Sequence, residues 1–460
     1  MRDELIRRFT NFGTRTAILD QADGFTYREL LERIRYTQDV LEKHGVAPHD
    51  VVVVNGNYSL GSIATLLALF LNRNVVVPLV TLNERDLDTV TEHCRPRFLV
   101  TPDGAELGVE ELAAPSSGPA AMIGRLSDEK AAGLVLLSSG STGAPKVILH
   151  SLDALVGEKL EKRPRRSETP LNILMVLMFD HIGGINSLLS ALLVGSTAVL
   201  PRDRAPEEIC RLIERHGIRV LPASPTFLNL ILMGGYHRTY DLSSLRLVTY
   251  GTEPMSDELL KRVNRNFPGV RLLQTFGTSE TGIATTTSES SSSTYFKISD
   301  AHVEYRIVDG ELQLKSRTQF LGYLNYGDDS LTEDHWFRTG DLVEETADGY
   351  LRIRGRAKEV INVGGEKLLP LELESVLLGS PLVEDCVVYG RPNAITGQTV
   401  CVDIKPLGEP NRAALRKHVL EFLADKVEPF KIPSKISVVD SVGMSERLKK
   451  VRSSSRPGKT

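Results

Sequence analysis

The sequence predicts an α/β protein with parallel sheets in its first part, followed by a smaller domain. Over residues 51–273, short runs of valine, isoleucine and leucine alternate with segments that have the length and amphipathic pattern of helices. Between residues 305 and 356 the pattern changes to short strands in which apolar and polar residues alternate. A chain of 460 residues is long enough for one large α/β domain and a smaller one.

The strand candidates of the first part are mostly apolar throughout, without strict alternation. They lie at 51–54, 75–77, 98–100, 134–137, 173–177, 197–200, 220–221, 247–250 and 270–273. The helical patterns lie at 27–44, 59–71, 205–215 and 256–266. Apolar strands separated by helices are typical of parallel sheets that are covered on both faces.

The later part of the chain predicts two further units. Alternating strands at 305–308, 311–315 and 350–353, with turns at Asp309-Gly310 and Asp348-Gly349, indicate an antiparallel or barrel-like piece. After Lys358 a helix at 413–426 and a strand at 436–439 indicate a compact α+β unit. The serine-rich run 288–294 is expected to be a flexible surface loop, and the tail 453–460 to be disordered.

Composition limits the classes of protein that remain. Hydrophobic residues make up 41%, charged residues 25%, and the net charge is -4, so neither nucleic acid nor a membrane is predicted as an electrostatic partner. Four scattered cysteines without a C-x-x-C pair indicate thiols of a cytoplasmic protein, not a disulfide framework or a zinc site. No apolar run approaches the roughly 18 residues of a membrane span, and the start is unlike a signal peptide.

The most informative stretch is the loop SSGSTGAPK at residues 138–146, which follows an apolar strand. Its two glycines allow backbone N–H groups to point into one concavity, and four hydroxyls and a lysine add further donors. Such a loop can hold a polyphosphate. It is not a Walker loop, because Pro145 precedes the lysine and Val147 replaces the hydroxyl that would bind magnesium. Taken alone, it could equally be a Ser/Gly-rich surface turn.

Five stretches, in order, resemble the motifs of the adenylate-forming superfamily of acyl- and aryl-CoA ligases, peptide-synthetase adenylation domains and luciferases. The loop resembles the signature S-S-G-[ST]-T-G-x-P-K, and the others are QTFGTSE at 274–280, WFRTGD at 336–341, GRAKE at 355–359 and GGEK at 364–367. The resemblance implies an N-terminal domain (1–355) with two parallel-type sheets and a small β-barrel-like piece. It also implies a mobile α+β lid (359–452) after a hinge near Lys358.

The resemblance implies an ATP site whose parts have distinct roles. Glu280 would bind Mg²⁺, since hard carboxylate oxygens suit that ion. Phe276 would stack on adenine, Asp341 would accept hydrogen bonds from the ribose, and Arg356 would contact ribose and phosphate. Without the motif order, each would be interpreted as an ordinary core or surface residue. The implied ATP-binding residues are Ser138, Ser139, Gly140, Ser141, Thr142, Gly143, Lys146, Gly251, Thr252, Glu253, Gln274, Thr275, Phe276, Gly277, Thr278, Asp341, Arg356 and Lys449.

The implied catalytic residues are Lys449, Glu280, Thr142 and His181. Lys449 would bridge the acyl carboxylate and the α-phosphate, although Leu448 stands where the family has glycine, and Lys450 is the second candidate. His181 would form the wall of the acid pocket and argues against an α-amino acid substrate. After rotation about Lys358, Gly364 and Gly365 would line a tunnel for a thiol arm, because glycine permits close approach to the backbone.

The function implied is activation of a fatty, short-chain or aromatic carboxylic acid through an acyl-AMP intermediate, with release of pyrophosphate. The acyl group would then pass to the thiol of CoA or of a carrier-protein phosphopantetheine. Alternatives are transfer to a nitrogen nucleophile, a non-catalytic binding protein and, less favoured, a P-loop kinase. A basic cluster could meet a nucleotide phosphate or an acidic carrier protein, or form a solvated loop. It consists of Lys159, Lys162, Arg163, Arg165 and Arg166.

Overall fold

Two mainly parallel sheets form the first part of the molecule. They are seen in a computed structural model, which describes residues 1–21, 23–104, 106–112, 121–138, 145–165, 170–327, 329–409, 411–443, 450 and 452. The first sheet has parallel neighbours except at its β1–β2 edge. Its order is β13 (Arg271–Gln274), β12 (Leu247–Tyr250), β11 (Val220–Ala223), β9 (Asn172–Leu174), β10 (Thr197–Leu200), β1 (Thr16–Asp20) and β2 (Asp23–Thr26).

The second sheet places both ends of the loop 138–146 next to each other. Its order is β20 (Gly322–Tyr323), β8 (Lys146–Ser151), β7 (Gly133–Ser138), β4 (Val75–Leu79), β3 (Val51–Asn55), β5 (Phe98–Asp103) and β6 (Glu106–Glu111). Strands β7, β4, β3 and β5 are parallel, whereas β6, β8 and β20 are antiparallel to their neighbours. Ser138 lies opposite Lys146 in the register of β7 and β8, so the loop leaves and rejoins the sheet at one point.

Helices cover these sheets and fill the space around them. Helix α2 begins at a capping box in which Thr26 and Glu29 exchange hydrogen bonds. The segment 61–70 in α3 is buried on every side, because it lies inside the main apolar core. The helices are α1 (Arg2–Phe12), α2 (Tyr27–Lys43), α3 (Leu60–Leu71), α4 (Glu84–Cys94), α5 (Ala121–Asp128), α6 (Leu152–Glu161), α7 (Ile182–Leu192), α8 (Pro206–His216), α9 (Pro225–Met233), α10 (Tyr236–Thr239) and α11 (Asp257–Asn266).

An antiparallel piece follows. The hairpin of β14 (Phe276–Thr278) and β15 (Gly282–Ala284) precedes an antiparallel sheet. That sheet has the order β16 (Thr286–Ser288), β17 (Phe296–Ile298), β22 (Leu351–Arg356), β21 (Phe337–Glu345), β19 (Glu311–Ser316) and β18 (Val303–Val308). Asp309 and Gly310 both have positive φ, of 51° and 79°, as the tight turns of two-residue hairpins require.

The last part is an α+β unit with its own apolar core. Two short antiparallel strands lead into α12, and a long hairpin, β25–β26, forms the centre of the sheet. The elements are β23 (Ile361–Val363), β24 (Glu366–Leu368), α12 (Pro370–Leu377), β25 (Val383–Asn393), β26 (Gly397–Pro406), α13 (Arg412–Leu423) and β27 (Lys435–Val438). The predicted fold class, a large α/β N-terminal domain and a smaller α+β C-terminal domain, is confirmed.

Some local predictions differ from the structure. Ser288 ends β16, and the rest of the run 288–294 is a loop that hydrogen bonds hold: Thr294 Oγ1 donates to Asp257 at 2.8 Å, and Ser291 Oγ accepts from the Leu272 N–H at 3.0 Å. The prediction of a solvated basic cluster is wrong for Lys159, which is buried in α6 and paired with Glu158 at 2.6 Å. The tail 453–460 and Arg166 lie outside the described residues. Within the described part of the chain, no helix has the length and hydropathy of a membrane span.

Candidate active site

A cleft of about 530 Å³ lies where the two parallel sheets, the antiparallel piece and the start of the C-terminal domain meet. Many of the residues implied by the family motifs line it, although they come from distant parts of the chain. These are Ser138, Lys146, His181, Gly251, Thr252, Thr275, Gly277, Thr278, Glu280, Arg356 and Lys358. Ser139, Gly140, Ser141, Thr142, Gly143 and Lys449 lie outside the described residues.

In one corner of the cleft, hydrogen bonds connect a cation, a phenol and a carboxylate. The Lys146 ammonium donates to the Tyr323 hydroxyl at 3.0 Å, and that hydroxyl donates to Glu280 Oε1 at 2.8 Å. Lys146 lies at the start of β8, and Tyr323 lies on the neighbouring strand β20. The corner can therefore hold both an anionic oxygen, at Lys146, and a hard cation, at Glu280.

Glu280 lies in a turn fixed by backbone hydrogen bonds. The Thr278 hydroxyl accepts from the Glu280 N–H at 3.1 Å, and the Glu280 carbonyl accepts from the Phe320 N–H at 2.6 Å. Behind the turn, buried His150 contacts the Ser279 carbonyl through Nε2 at 2.6 Å. Burial lowers the pKa of His150, against the smaller raising effect of that hydrogen bond. A neutral His150 donates to the carbonyl and supports the turn from inside the core.

The second corner contains an ion pair between adjacent strands. Asp341 on β21 lies opposite Arg356 on β22, and Arg356 Nε lies 2.7 Å from Asp341 Oδ1. Asp341 is only 4% exposed, whereas Arg356 lines the cleft. Glu311 also reaches the cleft and accepts from the Gly340 N–H at 2.8 Å. A carboxylate held in place by a guanidinium suits recognition of neighbouring hydroxyl groups.

The far end of the cleft is mostly uncharged. His181 precedes α7, and its Nδ1 accepts from the Gly183 N–H at 3.2 Å. In the neutral imidazole the proton is therefore on Nε2. Apolar and small polar groups form the remaining wall of this end. They are Leu177, Asn186, Ser187, Pro222, Ala223 and Ile283.

Several predicted site residues lie away from the described cleft lining. The Phe276 ring packs in a core cluster against Phe296, with ring centroids 5.9 Å apart. Gln274 is buried on β13, where its carboxamide oxygen lies 3.5 Å from the Tyr250 hydroxyl. Gly364 donates its N–H to the Thr396 carbonyl at 2.8 Å, and neither it nor Gly365 is among the described lining residues.

Glu253 lies at the boundary between the N-terminal and C-terminal domains. Its Oε1 accepts from the Thr226 N–H at 2.6 Å, at the first turn of α9, and its Oε2 accepts from the Lys450 N–H at 3.4 Å. Burial raises the pKa of Glu253, and hydrogen bonds to Thr226 and the charge of Lys450 oppose that rise. Residue 450 therefore reaches the N-terminal domain at Glu253, which directly follows the cleft-lining residues Gly251 and Thr252.

The side chains of Lys450 and Arg452 are engaged within the C-terminal domain. Lys450 Nζ lies 2.6 Å from Asp385 Oδ1, and the Arg452 guanidinium lies 2.7 Å from Glu374 and 3.4 Å from Glu359. Of the five residues in these pairs, all but Glu359 have side chains that are at most 15% exposed. These ion pairs tie the end of the described chain to the residue that follows Lys358.

Sequence reasoning missed Tyr323, Asn325 and His150. The Asn325 carboxamide accepts from the Val147 N–H at 2.9 Å and donates to the Pro145 carbonyl at 2.8 Å, so it holds both sides of Lys146. These contacts join residues about 130 to 180 positions apart, and neither composition nor local pattern indicates them.

Comparison with known proteins gives a consistent result. The sequence matches the family model of AMP-binding enzymes over residues 5–324 and that of the AMP-binding enzyme C-terminal domain over residues 372–450. An indoleacetate–CoA ligase of Aromatoleum aromaticum is 30% identical over 337 residues, which are 67% of this chain and 64% of the relative. The chain thus spans a little under two thirds of the length of the curated relatives it matches.

Solved structures have the same fold. An anthranilate CoA ligase in complex with anthranoyl-AMP has a TM-score of 0.80 at 20% identity, covering 98% of this chain and 95% of that one. An amide bond synthetase from Marinactinospora thermotolerans has a TM-score of 0.76 at 20% identity, covering 97% of both chains. At these identities the likeness concerns the fold.

Proposed function

Because the chain belongs to the family of AMP-binding enzymes, we propose that it activates a carboxylic acid with ATP. A carboxylate oxygen attacks the α-phosphorus, the bond to the β-phosphate breaks, and the products are an acyl adenylate and pyrophosphate. In a second step a thiol, of CoA or of a carrier-protein phosphopantetheine, attacks the acyl carbon and AMP leaves. The chain is then an acid–thiol ligase.

The observation that carries this proposal is that one cleft gathers a cation, a carboxylate, a guanidinium and an imidazole from distant parts of the chain. Lys146 and Glu280 lie in one corner, Arg356, which pairs with buried Asp341, lies in another, and His181 lies at the uncharged end. The first corner suits phosphates and a metal ion, and the second suits a ribose. An acid at the uncharged end would lie in the same cavity as the nucleotide.

The residues fit MgATP. Glu280 supplies carboxylate oxygens, the ligands that Mg²⁺ prefers, and its Oε1 is already held by the Tyr323 hydroxyl. Lys146 would hold phosphate oxygens as a positive point charge. When bound, Mg²⁺ would neutralise phosphate charge and so reduce repulsion of the incoming carboxylate. Asp341 would accept hydrogen bonds from the ribose hydroxyls while Arg356 holds its carboxylate in place.

Lys449 is the proposed catalytic cation, and the contacts of its neighbour support it over Lys450. The Lys450 ammonium is buried against Asp385 and the Cys386 carbonyl, so it is already engaged inside the C-terminal domain. Its backbone N–H nevertheless reaches Glu253 of the N-terminal domain. A cation at position 449 would stabilise charge that develops at phosphorus, and losing such a group typically costs about 10²–10³ in rate.

We propose that the substrate is a small carboxylic acid whose acyl group is uncharged and either aromatic or short-chain. The uncharged end of the cleft is formed by apolar and small polar groups, with His181 as its titratable member among the described lining residues. Burial of an apolar acyl group there contributes roughly 25 cal/mol per Å². The name of one relative, an indoleacetate–CoA ligase, supports the same class.

The thiol step would use a second domain arrangement reached by rotation about Lys358. In the present arrangement the Gly364–Gly365 turn lies against Thr396, whereas the chain around residue 450 meets Glu253. Rotation would bring the glycines to the cleft and separate residue 450 from Glu253. A cytoplasmic location, where ATP and CoA are available, fits this activity.

Carboxylate-dependent exchange between ATP and pyrophosphate tests the first step. We expect exchange with one class in a panel of aromatic, aliphatic and amino acids, and about 100-fold less with Glu280→Gln. Single-turnover transfer from the acyl adenylate to CoA, a carrier protein or an amine then identifies the acceptor. Release of ADP with any substrate, or binding of ATP without exchange for any acid, would contradict the proposal.

A further inference from the structure

We propose that Tyr323 is a positioning residue for the triphosphate end of the nucleotide, because its hydroxyl fixes Lys146 and Glu280 relative to each other. The inference rests on the proposed function in taking MgATP as the ligand. It adds a role for a residue that lies on β20, at the edge of the second parallel sheet, outside the loop and motif positions discussed above.

The Tyr323 hydroxyl both accepts and donates hydrogen bonds. It accepts from the Lys146 ammonium at 3.0 Å and donates to Glu280 Oε1 at 2.8 Å, and Ser330 Oγ donates to it at 3.4 Å. The Lys146 ammonium also lies 4.3 Å from the centre of the Tyr323 ring. A phenol can accept from an ammonium and donate to a carboxylate at the same time, so one oxygen atom separates the two charges.

That separation matters for what the corner can bind. Without the hydroxyl, an ammonium and a carboxylate at this spacing attract each other and would approach to form a direct ion pair. A direct pair would occupy both the phosphate-binding donor and the metal-binding oxygen. The hydroxyl prevents this and leaves each charged group with unused hydrogen-bonding or coordinating capacity directed at the cleft.

The surrounding residues fix the position of the Tyr323 hydroxyl. The Tyr323 side chain is 4% exposed, and its ring packs edge-on against Phe320, with centroids 4.8 Å apart. Its backbone pairs with Ile148 on β8, and Asn325 holds the peptide groups on both sides of Lys146. The phenol and the lysine therefore belong to one pair of hydrogen-bonded strands. The hydrogen bond from the Tyr323 hydroxyl fixes Glu280 relative to both.

The test compares Tyr323→Phe with the matched control Tyr326→Phe. Tyr326 lies beside Tyr323, with ring centroids 6.5 Å apart, and is 36% exposed. Dissociation constants for MgATP, for ATP with EDTA, and for AMP are measured by calorimetry, and melting temperatures are measured without nucleotide. We expect Tyr323→Phe to weaken MgATP binding about 10- to 100-fold. AMP binding should change less than about twofold, because AMP lacks the phosphates that Lys146 would hold.

Three results would overturn the proposal or its premise. An unchanged MgATP constant in Tyr323→Phe refutes it, as do equal losses for MgATP and AMP, which would indicate a general structural defect. A wild-type protein that does not bind MgATP refutes the proposed function instead.

If Tyr323→Phe does not fold, trifluorotyrosine at position 323 replaces it. MgATP binding is then measured at a pH at which absorbance shows that the phenol is ionised. A phenolate cannot donate to Glu280, so weaker MgATP binding supports the proposal and an unchanged constant refutes it.

Discussion

The proposed ribose contact depends on the Asp341–Arg356 pair. Asp341 is buried, and the guanidinium of Arg356 fixes one of its oxygens at 2.7 Å. A carboxylate in this setting needs little reorganisation before it accepts hydrogen bonds from a ligand. The sequence motif identified both residues, and the antiparallel register of β21 and β22 explains why they meet.

Asp341→Asn should weaken AMP binding about 10-fold or more, because a hydrogen bond to a charged group is worth about 1.5–3 kcal/mol. The matched control is Asp334→Asn, since Asp334 also pairs with an arginine, Arg306, but at the exposed surface. Titration calorimetry with AMP measures both variants. Equal affinity of Asp341→Asn and wild type would contradict the assigned ribose contact.

The buried carboxylate Glu374 links stability to pH. Burial alone would raise the pKa of Glu374, but the charges of Arg452 and Lys450, together with hydrogen bonds from Arg452 and the Val388 N–H, bring that pKa below its usual value. Because the pKa of Glu374 is lower in the folded state, the ionised carboxylate stabilises the fold at pH values above the unfolded-state pKa. That contribution is lost as the pH falls through the folded-state pKa.

Glu374→Gln should cost about 3–5 kcal/mol at pH 7, since it takes the close carboxylate partner from the buried Arg452 guanidinium. The difference from wild type should shrink as the pH falls below about 4, where the unfolded carboxyl is protonated. The control Glu421→Gln removes an exposed pair with Lys417 and should cost about 0.5 kcal/mol or less. Urea unfolding between pH 3 and 7 measures both, and a constant difference for Glu374→Gln would refute the linkage.

At the scale of elements, α7 depends on a glycine in its first turn. A Cβ atom on Gly184 would lie 1.9 Å from the Met178 carbonyl oxygen and 2.7 Å from the Tyr58 hydroxyl. Real Cβ contacts are not this short, so a larger residue would force α7 away from the chain that precedes it. Because His181 caps the start of α7, that shift would move the wall of the proposed acid pocket.

Gly184→Ala should therefore destabilise the protein by at least about 1–3 kcal/mol, and should raise the KM of the acid more than that of ATP. In Gly124→Ala, the matched change in α5, the new methyl group meets no atom within 4 Å. That change should be neutral or stabilise by up to about 1 kcal/mol. Thermal unfolding and steady-state kinetics give both comparisons, and a stable Gly184→Ala with normal KM values would contradict this role.

Long apolar elements could be predicted from the sequence, and short ones could not. The strands 197–200 and 247–250 have the observed bounds, and the helix expected at 27–44 is α2. By contrast, β14 to β17 each span three residues, too few for a periodic pattern to be recognised. Their pairing depends on tertiary contacts, such as the Thr286 hydroxyl donating to the Gln274 carbonyl.

At the scale of the whole molecule, polar contacts between described residues join the two domains, beside the packing of α12 against α11 and β22. Arg354 on β22 pairs with Glu372 on α12, and Glu253 accepts from the Lys450 N–H. The Arg354 and Glu372 side chains are 38% and 28% exposed, so solvent and salt screen their attraction. The arrangement is therefore sensitive to single charge changes at this boundary.

Glu372→Gln should shift the protein toward the rotated arrangement by up to about fivefold, which corresponds to the 1 kcal/mol or less expected of such a pair. Single-molecule energy transfer between dyes on the two domains measures the populations. The control Lys405→Gln removes a pair with Glu384 that lies within the C-terminal domain and should leave them unchanged. Identical populations in all three proteins would show that Arg354–Glu372 does not hold the arrangement.

The family motifs allowed the architecture and the main cleft residues to be predicted, but not the contacts that fix them. Lys146 and Glu280 are recognisable in the sequence, whereas Tyr323 and Asn325, which hold them, lie in a segment without a comparable signature. The placement of Phe276 and Gln274 in the core also depends on packing against β16 and β17. Such contacts arise from the assembled fold and leave little trace in local composition.

The pairing of β20 with β8 has a consequence for synthesis on the ribosome. Asn325 follows Val147 by 178 residues, so at about 5–20 residues per second the edge of β8 waits roughly 10–35 s for its partner. During that time its peptide groups are a template for pairing with other nascent chains. The last strand added to this sheet thus ends an interval of aggregation risk as well as completing the site.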